Sequence, residues 1–186
     1  MRWRSKVADG GVAIGVALTL HAAPSAAQAN STPCTIVYGH GRNHVAEMPA
    51  ANAQWNHLNQ GFTQAVSDAI TASGRRAVPL VLPVEARDLQ ANLAQLLQRA
   101  SAEACQRVVE ATVMGEAGTE QLVLRLRLHS IARQAGPPRL DSGMSIGVPE
   151  LTVQRELPLN HRSLSRLQSD ELAQQMTAEL LDHLPR

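Results

Sequence analysis

Only one bridge can be drawn in this chain, between Cys34 and Cys105, and whether it forms constrains the fold more than any other feature. It would close 72 residues, for which chain entropy alone predicts roughly 4 kcal/mol of stabilisation. Such a bridge needs an oxidising compartment, and the N-terminus predicts one. Arg2, Arg4 and Lys6 form a basic region, Gly11 to Leu20 an apolar stretch, Pro24 a break, and Ala27-Gln28-Ala29 a small-x-small cleavage pattern. That is the arrangement of a secretory signal peptide. About 10 apolar residues are roughly half of a bilayer crossing, so residues 1–29 are expected to be cleaved off after Ala29 and not to span. No later stretch is a better candidate for a span. Cys34 follows Ser31-Thr32-Pro33 where a lipidated cysteine would follow Leu-Ala-Gly, so it is read as a bridging cysteine. The alternative is two thiols buried separately; nothing resembles a Cys-x-x-Cys redox pair.

Loss of the leader changes the composition. The 186-residue chain carries a formal charge of +1, but Arg2, Arg4, Lys6 and Asp9 leave with the first 29 residues. Residues 30–186 then hold 14 arginines, 15 acidic residues and no lysine. A phosphate-loop lysine, a Schiff-base lysine and a lysine general base are excluded together. Tyr38, Trp55 and Phe62 are the remaining aromatics, too few for the stacking platforms that single-stranded nucleic acid needs. No nucleic-acid partner and no cofactor are expected.

Thr35 to Tyr38 is a β-branched and aromatic run that Gly39 is expected to stop. Trp55, Leu58, Phe62, Ala65 or Val66, and Ala69 or Ile70 recur at helical spacing, with Asn52 placed to cap the start and Gly74 to end the helix. Arg75 to Val84 reads as a second strand, on an edge because Pro79 and Pro83 cannot donate to a ladder. Asp88 caps a second helix with Leu89, Leu93, Leu96, Leu97, Ala100 and Ala104 as its apolar stripe. Arg107 to Met114 and Gln121 to Ala132 form a hairpin. In its second arm Leu122, Leu124, Leu126 and Leu128 point to the core, while Val123, Arg125, Arg127 and His129 point the other way. Gln134 to Met144 is a long loop with Pro137-Pro138. A fifth, interrupted strand runs through Ile146, Val148, Leu151, Val153 and Leu157, edged by Pro149 and Pro158. A last helix after Ser169 buries Leu172, Met176, Leu180 and Leu184, with Asp170 and Glu171 at its positive end.

The element order β-α-β-α-β-β-β-α leaves few topologies once crossovers are right-handed. Cys34 and Cys105 each precede a strand, so a bridge puts those strands side by side, about 4.8 Å apart. The expected fold is one α/β domain over residues 30–186: a mixed five-stranded sheet of order 2-1-3-4-5, an α+β sandwich-like arrangement with three helices and one disulfide. This organisation, with the strand at Thr35, the helix from Trp55 to Gly74, the Asp88 helix and the hairpin, resembles the small periplasmic α/β domains of bacterial envelope proteins. Among these are the N-terminal domain of the Tol-system protein TolB and the CsgG-like and transport-auxiliary proteins. The resemblance covers most of Thr35 to Leu184 and carries over no individual residue. It implies a periplasmic, non-catalytic assembly or interaction role with an envelope protein partner.

Gly39-His40-Gly41-Arg42-Asn43-His44 leaves the carboxyl end of a parallel strand, where open α/β sheets bind ligands. It reads either as a solvated turn or as a site for an anion, a polar ligand or a metal. With His57 and Glu47 it offers a loose ligand set of His40, His44, His57 and Glu47, the basis of a metal-dependent hydrolase, or of a small-ligand carrier in which Arg42 takes part. His-Glu-x-x-His is not matched, because Gly41 stands where the glutamate would be. Serine nucleophile contexts are absent from the sequence, so catalysis is not the leading expectation. Arg125, Arg127 and His129 are a candidate interaction face, able to meet an acidic partner or anionic lipid head groups. Alternatively Glu110 neutralises them across the hairpin; matching the apolar faces pairs Val109 with Leu124 and puts Glu110 diagonal to Arg125.

Overall fold

Cys34 opens strand β1 (Cys34–His40), and Cys105 stands two residues ahead of β3 (Arg107–Glu116). In the computed structural model the two are disulfide-bonded, with Cα atoms 4.4 Å apart. The structure describes residues 33–116, 118–133, 143–160, 162–164 and 170–183. The leader with its cleavage position, the Pro137-Pro138 loop, Ser169 and Leu184 lie outside the described residues.

β1 pairs in parallel with β2 (Arg76–Leu82) on one side and with β3 on the other. β3 turns back antiparallel into β4 (Gln121–Arg133). The order is β2-β1-β3-β4 and then β5 (Met144–Ile146), with β6 (Leu151–Pro158) also on β4. The sheet thus has the expected order, with six strands in place of five. β5 pairs with residues 131–133 of β4 and β6 with residues 121–128. The expected single interrupted strand is divided at Val148 and Pro149. Gly147 still donates to Ser130 O (3.0 Å) and Glu150 to Leu128 O (2.8 Å), while Pro149 has no N–H to give.

Because the chain steps from β1 outward to β2 and back across to β3, right-handed connections place the two intervening helices on opposite faces. α1 (Pro49–Ala72) and the C-terminal α3 (Glu171–Asp182) cover one face. There Val37, Val109 and Val113 of the sheet and Leu122 to Leu128 of β4 meet Phe62, Val66, Ile70, Met176 and Leu180. α2 (Leu89–Ala102) covers the other face, over Ile36, Val78, Val108 and the disulfide. The four inward leucines of β4 are buried as the alternation predicts.

Several local expectations are corrected. Gly39 does not stop β1 but lies inside it, paired with Val81 and Ala111, because a side chain there would collide with Thr63 of α1. α1 begins at Pro49 behind Met48, so Asn52 is no cap. Its amide instead accepts from Val45 N–H (2.8 Å) and donates to Val45 O (3.0 Å), holding the incoming loop against the helix. Gly74 has φ +81°, the left-handed conformation expected after the helix. Asp88 caps α2 by accepting from Gln90 and Ala91 N–H, both at 3.0 Å. The buried stripe of α2 is Asn92, Leu96, Leu97 and Ala100; Leu89 and Leu93 are exposed, and Ala104 lies beyond the helix end with φ +54°. Asp170 is the residue before α3, at φ +57°, with no capping bond from its side chain. The hairpin keeps the expected faces but slides by four residues: Val109 opposes Leu128, Leu124 opposes Val113, and Glu110 opposes Arg127 directly. Parity fixes which side chains share a face and leaves such a slide undetermined.

Candidate functional site

A parallel β-α-β unit brings a covering helix with it, whereas a hairpin brings none. β3 and β4 are joined by a turn, so among the described residues no helix covers β4 and β6 on the α2 side of the sheet, where Thr152, Gln154 and Glu156 are exposed, although Thr112 and Val123 are buried. One row across the sheet runs from apolar to charged: Leu80, Tyr38, Glu110, Arg127 and Thr152 lie side by side on five successive strands. The next row toward the hairpin turn aligns Thr112, Arg125 and Gln154.

Glu110 is the centre of this face, with its side chain 15% exposed. Arg42 donates to its Oε1 at 3.0 Å, Arg127 approaches Oε2 at 3.6 Å, and His129 Nε2 lies 3.8 Å from the same oxygen. His129 Nδ1 is 2.9 Å from Gly147 O; a carbonyl only accepts, so Nδ1 carries a proton. Arg125 donates to the neutral Gln154 Oε1 at 2.8 Å. Burial, then the like charges of Arg127 and Arg42, push its guanidinium below the usual arginine value. One carboxylate therefore serves two arginines and faces a histidine, and a third arginine is held by an amide. Glu110 does neutralise the face in part, as the cross-strand alternative expected, without matching its arginines.

Beside the row, α2 stands away from the sheet and leaves a cleft of about 180 Å³. Tyr38 and Val108 form its floor, Leu93, Leu96 and Ile146 its walls, and Glu110 and His129 its polar end. Burial, with Glu110 close by, raises the Tyr38 phenol to about 12. Tyr38 is the only tyrosine in the chain, so absorbance of the phenolate reports it alone. We expect half-ionisation near pH 12, about two units above the ordinary value. A phenol that loses its proton less readily in the folded state favours folding fully below pH 10, and that contribution is lost as pH rises toward 12. Tyr38→Phe should flatten this alkaline decline. A phenolate titration near pH 10 in the folded protein would contradict the assignment.

Glu110→Gln keeps the shape and removes the charge. It is expected to lower stability by about 1 kcal/mol or less, because the guanidinium groups it leaves, Arg42 and Arg127, are 50% and 30% exposed and reach water, read from denaturant midpoints. An unchanged midpoint would mean that water alone satisfies Arg127 and Arg42.

The Gly39 to His44 segment is bound to the protein at most of its polar positions. His40 Nε2 meets Ala86 O at 3.0 Å, and the ring stacks on Tyr38. Asn92 donates to the same carbonyl at 2.6 Å. A side chain at Gly41 would collide with Val84, so both glycines are there for close packing. Asn43 exchanges two hydrogen bonds with the Gly115 backbone, at 3.3 and 3.2 Å. Arg42 is drawn away to Glu110. His44 is half-buried, and its charge is a minor cause of the lowered Glu85 carboxyl, behind the Asn56 hydrogen bond. Glu47 is exposed at φ +60°, and His57 is exposed on α1. The set His40, His44, His57 and Glu47 is not gathered: among the described residues no three His, Cys, Asp or Glu side chains are grouped to hold a metal. The structure does bring Arg42 together with Arg127 and His129, through Glu110. Leu89, Leu93, Asn92 and Tyr38 were not among the expected site residues; the burial of Asn92 in place of Leu89 was hidden because the helical spacing fits both stripes.

Among the described residues no helix is long and apolar enough to cross a membrane. What fold and site define is a mixed α/β sheet with an arginine-rich open face beside a small apolar cleft. No family model and no curated protein matches the chain. Solved structures that match the chain include two of one protein. A point variant of the PelC dodecamer from Paraburkholderia phytofirmans is 14% identical with a TM-score of 0.39, over 80% of this chain and 88% of that one. The PelC dodecamer from the same organism is 13% identical with a TM-score of 0.35, over 78% and 87%. At such scores the likeness carries neither an activity nor an assembly over to this chain.

Proposed function

We propose that this chain is an exported accessory module of the bacterial cell envelope that acts by surface recognition, without catalysis, through the open half of its sheet. The observation that carries the reading is the cluster on and beside the row from Tyr38 through Glu110 to Arg127, where Arg42 and Arg127 share the single carboxylate of Glu110 and Arg125 is held by the neutral Gln154. Rigid, pre-positioned guanidinium groups select acidic partners at low ordering cost. The leader-like N-terminus and the Cys34–Cys105 bridge support export to an oxidising compartment. The periplasm fits both, in keeping with the resemblance of the element order to small envelope domains.

The test is site-specific photo-crosslinking in native cells, with the cross-linker at Thr152 or Arg125 on the open face and at exposed Gln64 on α1. A defined envelope adduct from the first two positions and none from Gln64 is the expected result. Equal adducts from all three, or protein recovered free from all three, would overturn the reading.

A further inference from the structure

Resting on that recognition role, we infer that the cleft beside the charged row receives one apolar side chain of an acidic peptide segment on the partner. Its volume of about 180 Å³ is close to the roughly 150 Å³ of an engineered cavity that holds benzene. It is well under the roughly 300–1,000 Å³ of most small-molecule pockets. One leucine- or phenylalanine-sized group fits, and a whole cofactor does not.

The rim argues for a macromolecule. Leu89 is 73% and Leu93 40% exposed, one helical turn apart on α2. Polar residues at these two positions would have satisfied the fold equally well, because Asn92 and Leu96 supply the buried contacts. Leu89 also lines the cleft, but a group confined to it could cover only part of a side chain 73% exposed, whereas a peptide running across the rim would cover the rest. Such pairs of exposed apolar side chains around a small pocket are the usual form of an anchor site.

The charge argues for an acidic segment. Glu110 at the polar end of the cleft already serves Arg42 and Arg127, and Arg125 one row further on makes no direct ion pair among the described residues: its hydrogen-bond partner there is Gln154, which donates in turn to Glu156, and Glu110 and Glu116 act on it only at a distance. The other acids on this face, Glu116 and Glu156, sit toward the hairpin turn, opposite Gln121 and Val123. Carboxylates flanking the anchor would take up the free donors of Arg42 and Arg125; ammonium groups there would be repelled.

The test is an amide NMR titration of the oxidised protein with three capped tripeptides: acetyl-Glu-Leu-Glu-amide, its Lys-Leu-Lys counterpart and its Glu-Ala-Glu counterpart. The first is expected to shift the amides of Leu93, Val108 and Ile146, and to bind about tenfold more tightly than either of the others, the scale of one buried leucine or one charge pair. Leu93→Asp, at a position exposed enough to leave the fold intact, should weaken it by about the same factor. Arg125→Glu should narrow or reverse the preference for glutamate over lysine. Equal binding of the glutamate and lysine peptides, shifts confined to other faces, or no shift at millimolar peptide would overturn the inference. If that happens while adducts from Thr152 persist, the cleft assignment falls and the recognition role stands. Peptide binding in the cleft without envelope adducts would overturn the role and leave the cleft assignment in place.

Discussion

The Cys34→Ala/Cys105→Ala double variant is expected to lose about 4 kcal/mol of stability, the chain-entropy value for a crosslink of this length. The bridge spans 71 positions of sequence, nearly half of the domain, so its absence greatly enlarges the unfolded ensemble. The same crosslink ties the leading ends of two central parallel strands, where Gln106 N–H also donates to Cys34 O at 3.2 Å. Both sulfurs are buried, so alanine leaves small voids, and Arg76, which donates to Cys34 Sγ at 3.3 Å, keeps Glu103 O at 2.7 Å and access to water. Since domains of this size are stable by only about 5–15 kcal/mol, the variant should be marginal at physiological temperature. Urea unfolding with and without reductant is the measurement. The variant in either buffer and the reduced wild type should fall together, with a steeper denaturant dependence than the oxidised protein because the unlinked chain exposes more surface. A loss under about 1 kcal/mol would mean that the strand pairing holds this loop closed without the bridge.

Gly39→Ala is the second large effect, at about 3 kcal/mol, the upper part of the range for overfilling a packed core. A Cβ at this position falls well inside contact of the Thr63 hydroxyl and 3.0 Å from Thr63 Cβ. Neither neighbour can retreat. Gly39 is held between β2 and β3, and Thr63 is fully buried with its hydroxyl donating to Asn59 O at 2.7 Å. Thr63→Ala removes the nearest atom, so the double variant should be less damaged than the two losses summed. That coupling is measurable in a double-mutant cycle. Strict additivity would show that the cost arises elsewhere in the strand. Gly41, against Val84, should behave in the same manner.

The extent to which the chain could be read in advance follows from which physical rules are local. Alternation in β4 named the buried leucines and the opposite arginines because a strand's period is two wherever it pairs. The cysteines then set the order β2-β1-β3, since a disulfide reaches one strand spacing and not two. Properties that depend on partners were not legible. The slide of β3 against β4 by four residues keeps every face unchanged, so no pattern in Val109 or Leu124 reveals it, yet it decides that Glu110 meets Arg127. Asn52 looks like a cap because caps and loop-binding amides share the same chemistry. Gly39 and Gly41 resemble a ligand loop for a similar reason: close approach to a phosphate and close approach to Thr63 or Val84 both require a missing side chain. The cleft is the least legible feature. It arises because α2 turns Asn92 inward beneath Ala86 O and so turns Leu89 and Leu93 out.

The earliest of the described strands is also a central one. β1 finds β2 only after some 40 further residues and β3 only after some 70. Contacts this distant in sequence form slowly. In a chain that crosses a membrane from its N-terminus, the apolar segment from Cys34 to Tyr38 must therefore wait unpaired, with a free thiol at its head, while its neighbours are still in transit. The hairpin of β3 and β4, whose arms are joined by a short turn, can close as soon as it emerges. On the proposed export from the N-terminus, folding of this domain would run from its later half backwards, and the Cys34 thiol would be open to wrong partners until Cys105 arrives.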